Sequence, residues 1–230
     1  MKIERAAEHI HSLDEVLCLW RNSKPFTCRG QPYPNQPAYV YTIEMLDIPG
    51  YWGVVVGDVL HNLHSALDNI VWQLALINHA RPYSRTAFPI WNMNSASARA
   101  DINRLLQHVP NDARQVIESL QPYIAPNPTF HPLWVLHELS DCDKHRIITL
   151  SGQCVGFDMR PDMIARDIND YTVEITVPML NKDFPPSPPE IHYFPFIVDK
   201  CGSKWRIEVI QGIYEFIRDN VFPRFKCFFP

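Results

Sequence analysis

Histidines and aspartates at helical spacing are the residues of this sequence best suited to chemistry. In GDVLHNLHSALDNIVWQLA, residues 57–75, His61 and His64 are followed one turn later by Asp68; in HPLWVLHELSDCDKHR, residues 131–146, His137 and Asp141 precede the run Asp143, Lys144, His145 and Arg146. An imidazole gives and takes protons near neutral pH, a carboxylate orients it, and a cation steadies phosphate charge. With the His61 and Asp68 stripe facing the DKHR run, the two segments would build a phosphate-handling pocket. Its candidate catalytic residues are His145, Arg146, His61 and Asp68, and its candidate binding residues are Asn62, His64, Lys144 and Asp143. The competing reading of DKHR is local: its cations oppose the negative end of a helix dipole and Asp143 pairs nearby. A metal reading also competes, because His61, His64 and Asp68 on one helix and His137 with Asp141 on another resemble the inward-facing pairs of bundle metal sites. Bridging Glu pairs and H-E-x-x-H are both missing from the sequence. No metal and no cofactor is assigned.

Such side chains need rigid carriers. In residues 57–75, Val59, Leu60, Leu63, Ala66, Leu67, Ile70 and Leu74 recur at three- and four-residue steps, the apolar face of a helix. At about 100° per residue, Asp58, His61, Asn62, Ser65, Asp68, Asn69 and Trp72 share one arc with His64 at its edge. The segment has no Lys, Glu or Arg, the long side chains usual on a solvated stripe. The arc is therefore expected to meet other helices or a ligand, with Asp58 placed to favour the helix N-terminus.

Around this segment, residues 3–21 have the spacing of an amphipathic helix, KPFTCRGQPYPNQPAY is too rich in Pro and Gly to be helical, and AYVYTIEML alternates as a strand. HARPYSRTAFPIWNMN reads as a loop docking Phe88, Ile90 and Trp91 on the core. Two short helices are expected over 101–108 and 111–121, with the N-cap of the second near Pro110 and Asn111. Pro132 suits the first turn of a further helix. RIITLSGQCVGFDM, DYTVEITVPML and IHYFPFIV read as antiparallel strands, and SKWRIEVIQGIYEFIRDNVF as a closing helix. The expected fold is α+β: a helical bundle, a small antiparallel sheet and a C-terminal helix. It forms one domain, 1–230, helical over about 1–145 and 203–222 and sheet-rich over about 146–200.

Composition narrows the function classes. The 230 residues are 46% hydrophobic and carry a net charge of −4, so nucleic-acid binding would need a local patch. Six cysteines are scattered without a C-x-x-C pair, which favours reduced thiols. No secretory signal and no apolar run of about 18 residues is found, so a cytoplasmic location without a membrane partner is expected. Trp72, Trp91, Trp134 and Trp205 sit among apolar neighbours and are assigned to core packing.

Four segments in order, GDVLHNLHSALDNIVWQLA, AFPIW, IESLQPY and HPLWVLHELSDCDKHRIITL, resemble an uncharacterised bacterial family with G-D-x-L-H-N-L-R-S-A-L-D-H, F-P-I, L-Q-P-Y and D-K-H-R motifs. The likeness covers roughly residues 50–150. That helix in turn looks like one from the HEPN superfamily, helical bundles found in toxins and anti-phage systems, many of them metal-independent ribonucleases that use an Arg followed by a His. The resemblance implies a HEPN-like bundle, RNA or nucleotide as partner, a stress or phage-defence role and, for an enzyme, ribonuclease-type activity. This chain has His64 and Asn69 where the relatives have Arg and His, and Asn69 cannot shuttle a proton. The alternative is a non-catalytic binding or assembly module, a homodimer, whose polar stripe forms a specific interface.

Overall fold

One helix and a pair of strands precede the long second helix, the remaining strands follow the fifth helix, and helical segments end the order: α1 (Lys2–Asn22), β1 (Phe26–Pro32), β2 (Ala38–Met45), α2 (Tyr51–Ile77), α3 (Ala96–Leu105), α4 (Asn111–Ser119), α5 (Pro132–His145), β3 (Thr149–Phe157), β4 (Ile164–Asn169), β5 (Thr172–Pro178), β6 (Ile191–Val198), β7 (Lys204–Arg206), α6 (Val209–Phe216) and α7 (Phe222–Phe225). The structure, a computed structural model, describes residues 2–145, 148–157, 162–169, 171–179, 186–188 and 191–229. The fold is α+β. Among the described residues no helix is long and apolar enough to cross a membrane.

Contacts divide the chain into two compact units, Met1–Ser12 with Gly53–Ile148 and Glu208–Pro230, and Leu13–Trp52 with Thr149–Ile207. The first unit is helical. Its organising element is α2, whose 27 residues extend about 40 Å. Val59, Leu60, Leu63, Leu67 and Leu74 on α2 are fully buried, as are Leu133, Leu136 and Leu139 on α5. The helix starts six residues before Gly57, the start expected from sequence, so Asp58 lies about two turns inside it rather than at its N-terminus. Tyr51–Val56 is rich in β-branched residues and propensity alone would not start a helix there; burial of Trp52 and Val56 overrides it. Similarly, α3 begins at Ala96 because the Ser95 hydroxyl accepts from the Ala98 amide at 3.1 Å, five residues before the expected start. At α4 the cap position is Pro110, without a side-chain cap bond, and Asn111 is already the first helical residue. The last helix begins at Val209, and Trp205 belongs to β7 instead. Pro223 lacks a donor and would clash with the preceding turn. The helix accommodates it through a wide π turn, Ile217–Val221, in which the Phe222 amide bonds the Ile217 carbonyl.

The second unit holds two antiparallel sheets, one of four strands ordered β1-β2-β5-β4 and one of three ordered β3-β6-β7. The single sheet expected mostly within 146–200 thus becomes two, and β1 and β2 from the N-terminal region complete the larger one. β5 alternates half-buried and buried positions along its length, β2 does so only in part, and Tyr41, Ile43, Val173, Ile175 and Val177 form their core. β1 shows no such alternation. Its Gly30 lies opposite Tyr41, where an added Cβ would stand 2.6 Å from the Tyr39 ring and 2.7 Å from the Tyr41 ring.

Candidate functional site

Two polar flanks of the helical unit meet along the line where α5 crosses α2. A Cβ built on Gly57 would sit 2.4 Å from Asp143 Oδ1, so α5 is pressed onto the α2 backbone and only glycine leaves room for that carboxylate. Burial and then the nearby Asp58 raise the Asp143 pKa, while His61 pulls it down. Farther along, burial and then the neighbouring His64 hold His137 below the ordinary histidine range. The pairs Asp143 with Gly57 and His61, and His137 with His64, run in opposite senses, so the two helices are antiparallel.

The raised Asp143 pKa gives a pH test. Because the folded state holds that proton more tightly than the unfolded chain, ionising Asp143 costs stability, and the cost is fully present above its folded pKa. Its position in the last turn of α5, at the negative end of the dipole, acts in the same direction. Asp143→Asn is therefore expected to raise the thermal midpoint at pH 7. The gain should shrink as pH falls and vanish below the ordinary carboxylate range of about 4. Thermal unfolding of both proteins across pH reads this directly; a gain that grows on acidification contradicts the assignment.

Asp68 has a different task. Its Oδ1 accepts from the Phe88 amide at 2.9 Å, and its Oδ2 lies 3.4 Å from His64 Nδ1. The same loop is held from the other side by Gln121, only 1% exposed. Gln121 Nε2 donates to the Pro89 carbonyl at 2.8 Å and the Ile117 carbonyl at 3.2 Å, and Oε1 accepts from the Trp91 amide at 3.1 Å. The Tyr123 amide then donates to the Trp91 carbonyl at 3.2 Å. The AFPIW segment is thus clamped between a carboxylate of α2 and the LQPY segment. Three of the four motifs singled out in the sequence serve one structural purpose. Gln121 is the residue sequence reasoning passed over, and its one signal there was an amide set between Leu120 and Pro122.

Comparison with family models, curated proteins and solved structures finds no match for this chain. The chemistry available at the seam is therefore that of its own groups. His61 is exposed, with its Nε2 3.5 Å from Ser65 Oγ. Asp58 and Lys144 are also exposed, and Asp143 is half-buried beside His61. Asn62, expected to bind substrate, is 8% exposed and donates to the Asp58 carbonyl of its own helix at 2.7 Å, which turns its amide away from any ligand. Asp68, expected at the catalytic centre, and His64, expected to bind substrate, are engaged with each other and with the loop. The backbone of His145 ends α5, but its side chain lies outside the described part, as does Arg146 altogether. Among the described residues no three His, Cys, Asp or Glu side chains gather in a way that could hold a metal. Cys18, Cys28, Cys201 and Cys227 are free thiols.

Proposed function

We propose that the chain is a HEPN-like module that handles RNA or nucleotide phosphate without a metal, at the seam of α2 and the last turn of α5. The observation that carries this reading is the close approach of Asp143 to Gly57 and His61, which brings the last turn of α5 onto the polar flank of α2. Among the described residues of the seam His61 is an exposed imidazole, and it takes the role of proton carrier to a ribose hydroxyl or leaving oxygen. Lys144, with His145 and Arg146 following it in the chain, supplies charge for phosphate. Asp68 positions the loop instead of touching substrate.

Purified protein incubated with total RNA is expected to cleave it equally with and without chelator, and His61→Ala should lower the rate by about a hundredfold or more. Loss of activity on chelation, or full activity in the variant, overturns the reading. A second reading, a non-catalytic binding or assembly module, draws on the two carboxylates of Asp58 and Asp143 beside His61, which oppose phosphate. Inertness toward RNA, together with a stable dimer that Asp58→Lys dissociates, selects it.

A further inference from the structure

On the flank of α2 turned away from Gly57, His61 and His64, the helical unit opens into a cavity of about 600 Å³, within the usual range for small-molecule sites. Its walls are almost entirely carbon: Ile70 of α2, Phe222 and Phe225 of α7, and Phe229 beyond it. Among the described residues two charged side chains line it, Lys2 and Lys226, and no carboxylate does, in a chain whose 25 acidic residues outnumber its 21 basic ones. Asn69 and Gln73, both exposed on α2, add amide groups to the lining. The π turn ahead of Pro223 sets the phase of Phe222 and Phe225, so the aromatic wall follows from how the helix accommodates its proline.

We propose that this cavity binds a small amphipathic anion, an acyl or aryl body carrying one carboxylate or phosphate head. The apolar body displaces water from the aromatic wall, and the head pairs with the ammonium groups of Lys2 and Lys226 while the amides of Asn69 and Gln73 complete its hydrogen bonds. Ammonium groups at the lining of an apolar site select charge sign: a cationic amphiphile of the same length gains the same burial and loses the pairing. Nothing in this assignment depends on the chemistry of the α2–α5 seam.

Calorimetric titration of the full chain with decanoate and with decyl phosphate, each below its micellar concentration, tests it, with decyltrimethylammonium as the comparator. One site per chain is expected for the anions, and the relative affinity of the two assigns the head group. The cation should bind at least about tenfold more weakly, the scale of one charge-assisted contact. Lys2→Ala with Lys226→Ala should weaken anion binding by about tenfold or more without moving the thermal midpoint, since both lysines are exposed. Asn69→Trp, an exposed position on the lining, should abolish uptake by filling the cavity while the chain stays folded. Equal affinity for anion and cation, or undiminished binding in the lysine variant or in Asn69→Trp, overturns the proposal. So does a dimer that Asn69→Trp dissociates in a chain that takes up no decanoate, which makes this face a contact between copies.

Discussion

Gln121→Glu is expected to be the most damaging near-isosteric substitution in the helical unit, lowering stability at pH 7 by about 3–5 kcal/mol. The side chain keeps its shape and loses both donors. A carboxylate at that position still accepts from the Trp91 amide, yet its other oxygen faces the Pro89 and Ile117 carbonyls that Nε2 now serves. With only 1% of the residue exposed, water cannot screen that repulsion. Domains of this kind are stable by about 5–15 kcal/mol, so the loss is a large share of the total. The defect should be pH-dependent. Burial raises the pKa of the introduced carboxyl, and its neutral form again donates one hydrogen bond. Stability is therefore recovered in part as pH falls through that raised pKa and lost again as pH rises through it. Denaturant unfolding of wild type and variant at pH 7 and near pH 4.5 measures both effects, and Gln121→Leu separates bonding from charge by removing the bonds without adding a charge. An unchanged midpoint at pH 7 would mean that the AFPIW loop is not held as described.

What the sequence discloses and what it hides divide along physical lines. The core face of α2 is legible because Val59, Leu60, Leu63, Leu67, Ile70 and Leu74 follow helical spacing, and every one of them is buried. The first two turns of α2 are not legible, since Tyr51–Val56 has strand-like composition and is made helical by burial. β1 is hidden for the opposite reason: its residues are exposed beyond Phe26, so no alternation marks it, and only pairing with β2 makes it a strand. Trp205 fits the helical spacing of the last segment and still joins a sheet, because β6 offers it an edge at Ile197. The two units leave no linker in the composition because α1 and α2 each run from one unit into the other. At the site, the lack of Lys, Glu and Arg on the α2 stripe points to a surface that meets other elements, and the outcome is divided: Asn62 is buried and Asp68 bonds a loop amide, while Asp58, His61, Asn69 and Trp72 are exposed. The identity of the partner is hidden when that partner is a backbone amide. Asp68 is expected from sequence at the catalytic centre, and it bonds the Phe88 amide instead. Main-chain groups are the same at every position, so nothing in the residue types near 88 announces which amide lacks a partner.

Asp68→Ala carries the next largest expected effect, about 1.5–3 kcal/mol, the usual range for a hydrogen bond to a charged group. The Phe88 amide loses its 2.9 Å acceptor and His64 loses its 3.4 Å partner. Asp68→Asn retains an oxygen for Phe88 and should cost less. Asp68 and Gln121 hold one short loop from two sides, so their losses should not add: once either clamp is gone, the other has less ordered loop to hold. Asp68→Ala combined with Gln121→Ala is expected to cost less than the sum of the single variants by about 0.5 kcal/mol or more. Hydrogen exchange resolves the two clamps, with the Phe88 amide responding most to Asp68→Ala and the Trp91 amide most to Gln121→Ala. The same variants separate positioning from catalysis. If the chain cleaves RNA as proposed and Asp68 acts only through the loop, Asp68→Asn keeps that cleavage within about tenfold of wild type while His61→Ala loses far more. A collapse of activity in Asp68→Asn at unchanged stability would return Asp68 to the catalytic centre and leave the loop clamp as a secondary consequence of its position.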